Sequence, residues 1–155
     1  MKARRTHQAP IAVSWTLRRR PLTDAGVRKV ARAALAFGER AGVSVSLVFV
    51  DERTLARMHG RWLGDGSPTD VISFDLGADA RGPVGELYIS VPRAAAQARL
   101  HGTSVERELA LYIVHGCLHL CGYGDRAPRD RRRMRVAERA VLERLGFEKE
   151  PRPFD

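Results

Sequence analysis

The residues best suited to chemistry lie together in the segment 114–125, VHGCLHLCGYGD. His115 and His119 stand four residues apart, and Asp125 follows after a turn marked by two glycines. Because positions i and i+4 project from the same face of a helix, both imidazoles could reach one metal ion. Two imidazole nitrogens and a carboxylate oxygen, with a fourth position left to water, are typical of a catalytic zinc site. We therefore predict that His115, His119 and Asp125 bind Zn²⁺.

The residues next to the two histidines limit the type of zinc site that this helix can form. Gly116 occupies the place where the His-Glu-x-x-His motif of zinc peptidases carries its glutamate, so this helix supplies no general base. A glycine here also predicts open space beside the metal for a bulky substrate. Cys117 and Cys121 fall on roughly the opposite side of the helix, which predicts core residues rather than ligands. The alternative for the histidines is a partly buried, hydrogen-bonded pair without a metal.

Length and composition indicate one globular domain, 1–155, with flexible tails expected at 1–10 and 149–155. The formal net charge of +9 favours polyanionic partners, above all nucleic acid, although an arginine-rich coding bias could contribute to it. Only two cysteines are present, both in one predicted helix, which fits a reducing cytoplasm rather than a disulfide framework. No apolar run is long enough to predict a transmembrane helix.

The order of secondary structure follows from hydrophobic periodicity and from capping residues. Short β-branched or alternating runs predict four strands, at 11–16, 43–50, 71–74 and 87–91. Amphipathic runs predict five helices, at 23–41, from 51 past Trp62, at 92–102, at 104–121 and at 128–145. A capping box at 103–106 opens the fourth helix, which carries both histidines. This order predicts an α+β or α/β domain around one small mixed sheet.

Three segments resemble the YbeY endoribonucleases, a family of zincin-like proteins from bacteria and organelles, and they occur along the chain in the same order as in the family. The family motif His-Gly-x-Leu-His-Leu-x-Gly-Tyr-Asp-His is matched here by His115, Gly116, Leu118, His119, Leu120, Gly122 and Tyr123. The segment 68–74, PTDVISF, is similar to the family's Pro-Thr-Asp-Val-Leu-Ser-Phe, and 85–90, GELYIS, to its Gly-Asp-Ile-x-Ile-Ser strand. The first motif is specific, and the other two support it by their order and spacing.

The resemblance implies a fold, an activity and partners. The expected fold is a single α+β, zincin-like domain with a mixed four-stranded sheet and about five helices. The expected activity is that of a zinc-dependent, single-strand endoribonuclease in 16S rRNA maturation and ribosome quality control. Its expected partners are an rRNA precursor and the small ribosomal subunit, and its expected location is the cytoplasm. One zinc ion per chain is expected as cofactor.

The chain departs from the family pattern at two places. Asp125 falls where the family has its third histidine, which makes the site one unit less positive and its bound water slightly harder to ionise. The family often has an arginine directly after an aromatic residue before the Pro-Thr-Asp segment, whereas Leu63 follows Trp62 here. Either Arg61, directly before that tryptophan, contacts phosphate in its place, or another arginine nearby does so.

Candidate general bases come from the two supporting segments, in which Asp70 and Glu86 are the carboxylates. For Asp70, a turn cap is an equally strong interpretation. The arginine-rich run at 129–135 is interpreted as a solvated helix face that could add nonspecific attraction for phosphate. Two other functions remain open at this point. One is a non-catalytic ribosome-assembly factor with a structural metal, and the other is a metal hydrolase with a different substrate.

Overall fold

The computed structural model describes residues 10–63, 70–77 and 83–147, without the side chains of residues 59–63. Within these ranges the chain forms four strands and five helices, which confirms the predicted α+β class. In chain order they are β1 (Ile11–Trp15), α1 (Asp24–Phe37), β2 (Val45–Val50), α2 (Glu52–Leu63), β3 (Val71–Asp75), β4 (Gly85–Ser90), α3 (Val91–His101), α4 (Val105–Leu120) and α5 (Pro128–Arg144). The predicted tails lie almost entirely outside the described residues, so they stay a prediction.

The sheet is mixed, with the strand order β1-β2-β4-β3. The strands β1, β2 and β4 are parallel to one another, and β3 pairs antiparallel with β4. Parallel neighbours require a crossover connection, and the helices between these strands supply it. The antiparallel strand β3 therefore lies at one edge of the sheet, with β4 on one side only.

Helix α4 is the centre of the core. It packs against β3 and β4 and also against α1, α3 and α5. Its apolar side chains are fully buried on several sides, which explains why its sequence is apolar almost all round. Fully buried members include Leu109, Ile113, Val114, Cys117 and Leu118. The two histidines are half-buried and lie toward the end of the helix, in a stretch that is otherwise apolar from Leu109 onward.

Gly116 is the reason that α4 can lie so close to the sheet. The residue is buried, and a Cβ atom placed on it would lie 2.9 Å from Leu87 Cδ2 and 3.3 Å from Val71 Cγ2. The predicted open space beside Gly116 is therefore wrong. The glycine serves the close packing of a helix on two strands, and that packing brings both histidines to the edge of the sheet.

The predicted end of the first helix at residue 41 is also wrong. Helix α1 ends at Phe37, and Gly38 donates a hydrogen bond from its N–H to the carbonyl of Ala34. A side chain at position 38 would overlap that of Cys121, which follows α4. The chain then turns through Glu39, whose φ of 64° lies in the left-handed region. Packing between the ends of α1 and α4, which no local pattern reveals, decides this boundary.

Two serine side chains accept hydrogen bonds that define the starts of α3 and α4. Ser90 accepts a bond from the N–H of Arg93, so residue 91 begins α3 instead of ending the preceding strand as predicted. Ser104 caps α4 by accepting from the N–H of Arg107, and Glu106 does not complete the predicted capping box with Thr103. The hydroxyl of Thr103 instead donates to a buried carboxylate one turn into the helix.

The two cysteines are free, and neither belongs to the group of residues that could hold a metal. Cys117 is fully buried, as predicted, while Cys121 is half-buried against the end of α1. Burial raises the pKa of both thiols, so both stay protonated near neutral pH. None of the described helices is long and apolar enough to cross a membrane.

Candidate metal centre and its cleft

The turn that follows α4 brings Asp125 back toward the two histidines. Gly122 adopts a φ of 98°, and its N–H donates to the carbonyl of His119. The N–H of Tyr123 donates to the carbonyl of Leu118, which completes a Schellman motif. Only glycine adopts this left-handed geometry without strain, so the glycine in the sequence determines where the helix ends and how the chain reverses.

Three side-chain atoms converge at this turn. Nε2 of His119 lies 2.9 Å from Nε2 of His115 and 3.1 Å from Oδ2 of Asp125. Nε2 of His115 and Oδ2 of Asp125 are 3.5 Å apart. Ligand atoms bound to one tetrahedral Zn²⁺ at 2.0–2.2 Å are about 3.3 Å from one another, so these distances suit a single small ion. The three residues thus form a group that could hold a metal.

Glu138, on α5, is the site residue that sequence reasoning missed. Its Oε1 lies 3.1 Å from Nδ1 of His115, and its side chain is only 12% exposed. With Nδ1 held in this way, Nε2 is the nitrogen that points toward Asp125. The signal in the sequence is weak: Glu138 follows Ala137 and stands four residues after Met134, at the border of the buried face of α5.

The protonation of His115 reflects two opposed effects. Burial alone would lower the pKa of the imidazole. The hydrogen bond with Glu138 and its charge, followed by the charges of Asp125 and Asp70, outweigh burial and raise the pKa above its ordinary value. The acidic surroundings therefore favour positive charge at this position.

The three residues open into a cleft of about 840 Å³. Its walls are the edge strand β3, one side of α4, the turn after α4 and the start of α5. Its lining carries five carboxylates and one arginine, namely Asp70, Asp75, Asp125, Asp130, Glu138 and Arg126. A lining of this charge attracts cations and repels phosphate unless a cation is bound.

Asp70, one of the two candidate bases, lines this cleft. Its Oδ1 accepts a 3.0 Å hydrogen bond from Nε of Arg93 on α3, and its side chain is 46% exposed. Beside it, the buried hydroxyl of Tyr112 has no hydrogen-bond partner among the described residues. Burial, and then the charge of Asp70, raise the pKa of Tyr112 far above the usual range, so the phenol stays protonated.

Glu86, the other candidate base from the sequence, is not brought to the cleft. Leu87 of β4 faces Gly116 on α4, and alternate side chains of a strand point to opposite faces. Glu86 consequently lies on the other face of the sheet, where Oε2 accepts a 3.1 Å hydrogen bond from the Tyr88 hydroxyl. Arg61 is in α2, but its side chain lies outside the described residues.

Comparison with known proteins agrees with this architecture. The sequence model of the family described as endoribonuclease YbeY matches residues 18–146, which is most of the chain. The chain belongs to the YbeY family. The resemblance seen in the three sequence motifs is thereby confirmed, and the endoribonuclease class comes with the family.

Individual relatives carry the same name. An endoribonuclease YbeY from Symbiobacterium thermophilum is 38% identical over 133 residues, covering 78% of this chain and 85% of that protein. One from Geobacillus kaustophilus is 36% identical, covering 77% and 84% respectively. One from Myxococcus xanthus is 39% identical over 76% of this chain, which spans 42% of that longer protein. A Thermotoga maritima protein solved in solution shares the fold, with a TM-score of 0.58 at 20% identity over 94% of this chain and 99% of that one.

Proposed function

We propose that this protein is a zinc-dependent endoribonuclease that cuts single-stranded RNA in 16S rRNA maturation and ribosome quality control. The proposed substrate is an rRNA precursor on the small ribosomal subunit, and the proposed location is the cytoplasm. The observation that carries the proposal is the convergence of His115, His119 and Asp125 in the cleft of a chain from an endoribonuclease family.

Zinc is the proposed metal because of the donors that converge. Two imidazoles and one carboxylate leave a fourth position open, as in catalytic zinc sites, and the distances between the donor atoms suit tetrahedral binding. Bound in this way, zinc would lower the pKa of a water molecule and polarise a phosphoryl oxygen. Asp125 brings a negative charge where the family motif has a neutral imidazole, so this centre would be a weaker electrophile.

The protein groups have separate proposed roles around the metal. Glu138 fixes the orientation of the His115 ring and raises its basicity as a ligand. Asp70 is the proposed general base, since its carboxylate lies at the cleft and Arg93 holds it in place. Arg126 lines the same cleft and can contact a phosphate, and Arg61 stays a proposed second contact. Glu86 has no proposed role because it lies on the opposite face of the sheet.

Measurement of bound zinc in three proteins tests the metal site. We expect one zinc ion per chain in the wild type, a large loss in Asp125→Ala, and no loss in Asp130→Ala. Asp130 lines the same cleft but is outside the ligand group, so it controls for removal of a cleft carboxylate. Unchanged zinc in a folded Asp125→Ala protein would exclude Asp125 as a ligand.

Cleavage of a single-stranded rRNA fragment by nuclease-free protein tests the activity. We expect the wild type and Asp130→Ala to cut it and Asp125→Ala to lose the activity together with its zinc. A zinc-loaded wild type that binds small ribosomal subunits but never cuts RNA would favour the assembly-factor function. A zinc-loaded protein that neither binds nor cuts RNA would favour a metal hydrolase of another substrate.

A further inference from the structure

The edge strand β3 presents a row of backbone groups that the sheet does not use. Two hydrogen bonds flank the strand: Ser90 N–H donates to the carbonyl of Asp70 (3.1 Å), and Leu76 N–H donates to that of Val84 (2.8 Å). In an antiparallel pair, hydrogen-bonded and non-hydrogen-bonded positions alternate. Ile72, which is two positions from Asp70 and opposite Tyr88, is therefore bonded to β4.

The positions between the bonded ones have the opposite orientation. Val71, Ser73 and Asp75 direct their N–H and C=O groups away from β4. All three residues line the cleft, and these outward groups have no partner among the described residues. Ser73 also has a buried hydroxyl that forms no hydrogen bond in the described part of the chain. The row lies beside the metal ligands and offers donor and acceptor pairs about 6.7 Å apart.

The charge of the cleft limits which ligand groups can use this row. Its five lining carboxylates oppose phosphates, whereas the backbone groups of β3 are neutral. Each outward residue places one donor and one acceptor side by side, and the Watson–Crick edge of an unpaired base carries donors and acceptors in the same way. In a duplex, the donors and acceptors of that edge are already hydrogen-bonded to the opposite strand. The row therefore suits unpaired nucleobases better than phosphates or double-stranded RNA.

We propose that the outward edge of β3, at Val71, Ser73 and Asp75, binds the base edges of single-stranded RNA beside the metal. This inference rests on the proposed endoribonuclease function and adds the structural origin of its preference for single strands. An open strand edge can also pair with an extended peptide. RNA is favoured because the chain belongs to an endoribonuclease family and carries a net charge of +9.

Base-methylated substrates test the proposal on the wild-type protein. A short single-stranded RNA is prepared with N3-methyluridine at one position after another around the cut, alongside 5-methyluridine as a size-matched control. We expect the N3-methyl group to lower kcat/KM about tenfold or more at one to three nucleotides, because it removes a donor worth up to about 1.5 kcal/mol and blocks the edge. The 5-methyl group, which leaves the Watson–Crick edge free, should change little.

A backbone replacement locates the effect on β3. Exchange of Ser73 for its α-hydroxy acid turns one outward N–H into an ester oxygen. A uracil that pairs with both groups of Ser73, its N3–H with the C=O and its own carbonyl with the N–H, then loses the second bond, and the penalty of N3-methylation at that nucleotide should fall to less than about threefold. The same exchange at Ile72 removes an N–H that faces β4, so it should lower stability and leave the methylation penalty at the Ser73 nucleotide intact. Only a nucleotide at the outward carbonyl of Val71, which becomes an ester carbonyl, should be affected. Ser73→Ala separates the contribution of the hydroxyl.

The outcomes separate this inference from the proposed function. Equal cleavage of N3-methylated and unmodified RNA would overturn the base-edge subsite and leave the endoribonuclease function standing. Absence of cleavage for every RNA would count against the function itself. Binding of the same RNAs, followed by fluorescence anisotropy, would then decide the subsite independently. Displacement of bound RNA by an extended peptide, with no effect of base methylation, would assign the edge to peptides.

Discussion

Helices α4 and α5 contribute to the same centre from opposite kinds of environment. Helix α4 is buried on most sides, and its two histidines are the polar exception in the apolar stretch from Leu109 to Leu120. Helix α5 is charged over most of its surface, and Glu138 is the acid that turns inward to His115. Ligands on a buried helix stand out against their neighbours, whereas a supporting residue on a charged helix does not. A site residue can therefore be recognised in the sequence when its polarity differs from that of its neighbours, whatever its importance to the site.

Removal of a ligand from α4 should have the largest effect. His115→Ala should lose zinc and reduce RNA cleavage about 10³-fold or more, because metal catalysis contributes several kcal/mol. The fold should survive, since the His115 side chain is 25% exposed and lies at the cleft. Zinc analysis, cleavage assays and circular dichroism check the three statements. A folded variant that keeps its zinc would exclude His115 as a ligand.

Loss of the supporting charge on α5 should have an intermediate effect. Glu138→Gln keeps the size of the side chain but weakens the hydrogen bond to Nδ1 of His115. Zinc affinity should therefore fall about 10- to 100-fold. Competition with a fluorescent chelator measures the affinity. Glu143→Gln, an exposed position of the same helix, is the matched control and should leave zinc affinity unchanged. Equal affinity in both variants would make Glu138 a packing residue only.

A change in the packing of α4 should lower the free energy of unfolding rather than alter the chemistry of the site. Gly116→Ala places a Cβ 2.9 Å from Leu87, and overpacking of this kind costs about 1–3 kcal/mol. Urea unfolding measures the loss in the free energy of unfolding. Gly124→Ala is the control, because a Cβ there meets Asp130 at an ordinary 3.6 Å and should cost little. Similar stability in the two variants would mean that the contact between α4 and the sheet relaxes freely.

The exposed arginines of α5 should have the smallest effect on catalysis. Arg129, Arg132 and Arg135 are exposed and form no ion pair with another described residue. Their joint replacement by Gln should leave kcat unchanged and weaken RNA binding at low salt. The slope of log affinity against log salt should fall by about 0.7 for each phosphate that the protein no longer neutralises.

A charge-matched variant completes that experiment. The triple change Arg18→Gln, Arg19→Gln and Arg99→Gln removes the same charge from a pocket away from α5, which those residues line together. Equal weakening by both triple variants would assign the effect to net charge alone. No weakening by the α5 variant would support the interpretation of its arginine run as a solvated helix face.

Part of the active-site architecture could be predicted because it is local. His115 and His119 share a face through helical periodicity, and Gly122 ends the helix where its left-handed φ is required. Glu138 could not be predicted, because it approaches His115 across 23 residues of chain, through the packing of one helix on another. Asp70 was proposed through its motif, but its hydrogen bond with Arg93 joins residues 23 positions apart and could not be predicted locally.

Residue types and their spacing were enough to predict the order of helices and strands, the two histidines with the turn toward Asp125, and the family. These features depend on short-range spacing and on residue types whose conformational preferences are strong. The packing of distant elements made Gly116 a point of close contact, placed Glu86 on the far face of the sheet, and left β3 with an open edge along the cleft. Each of these depends on which elements become neighbours, and that is settled by burial of the whole core rather than by any single segment.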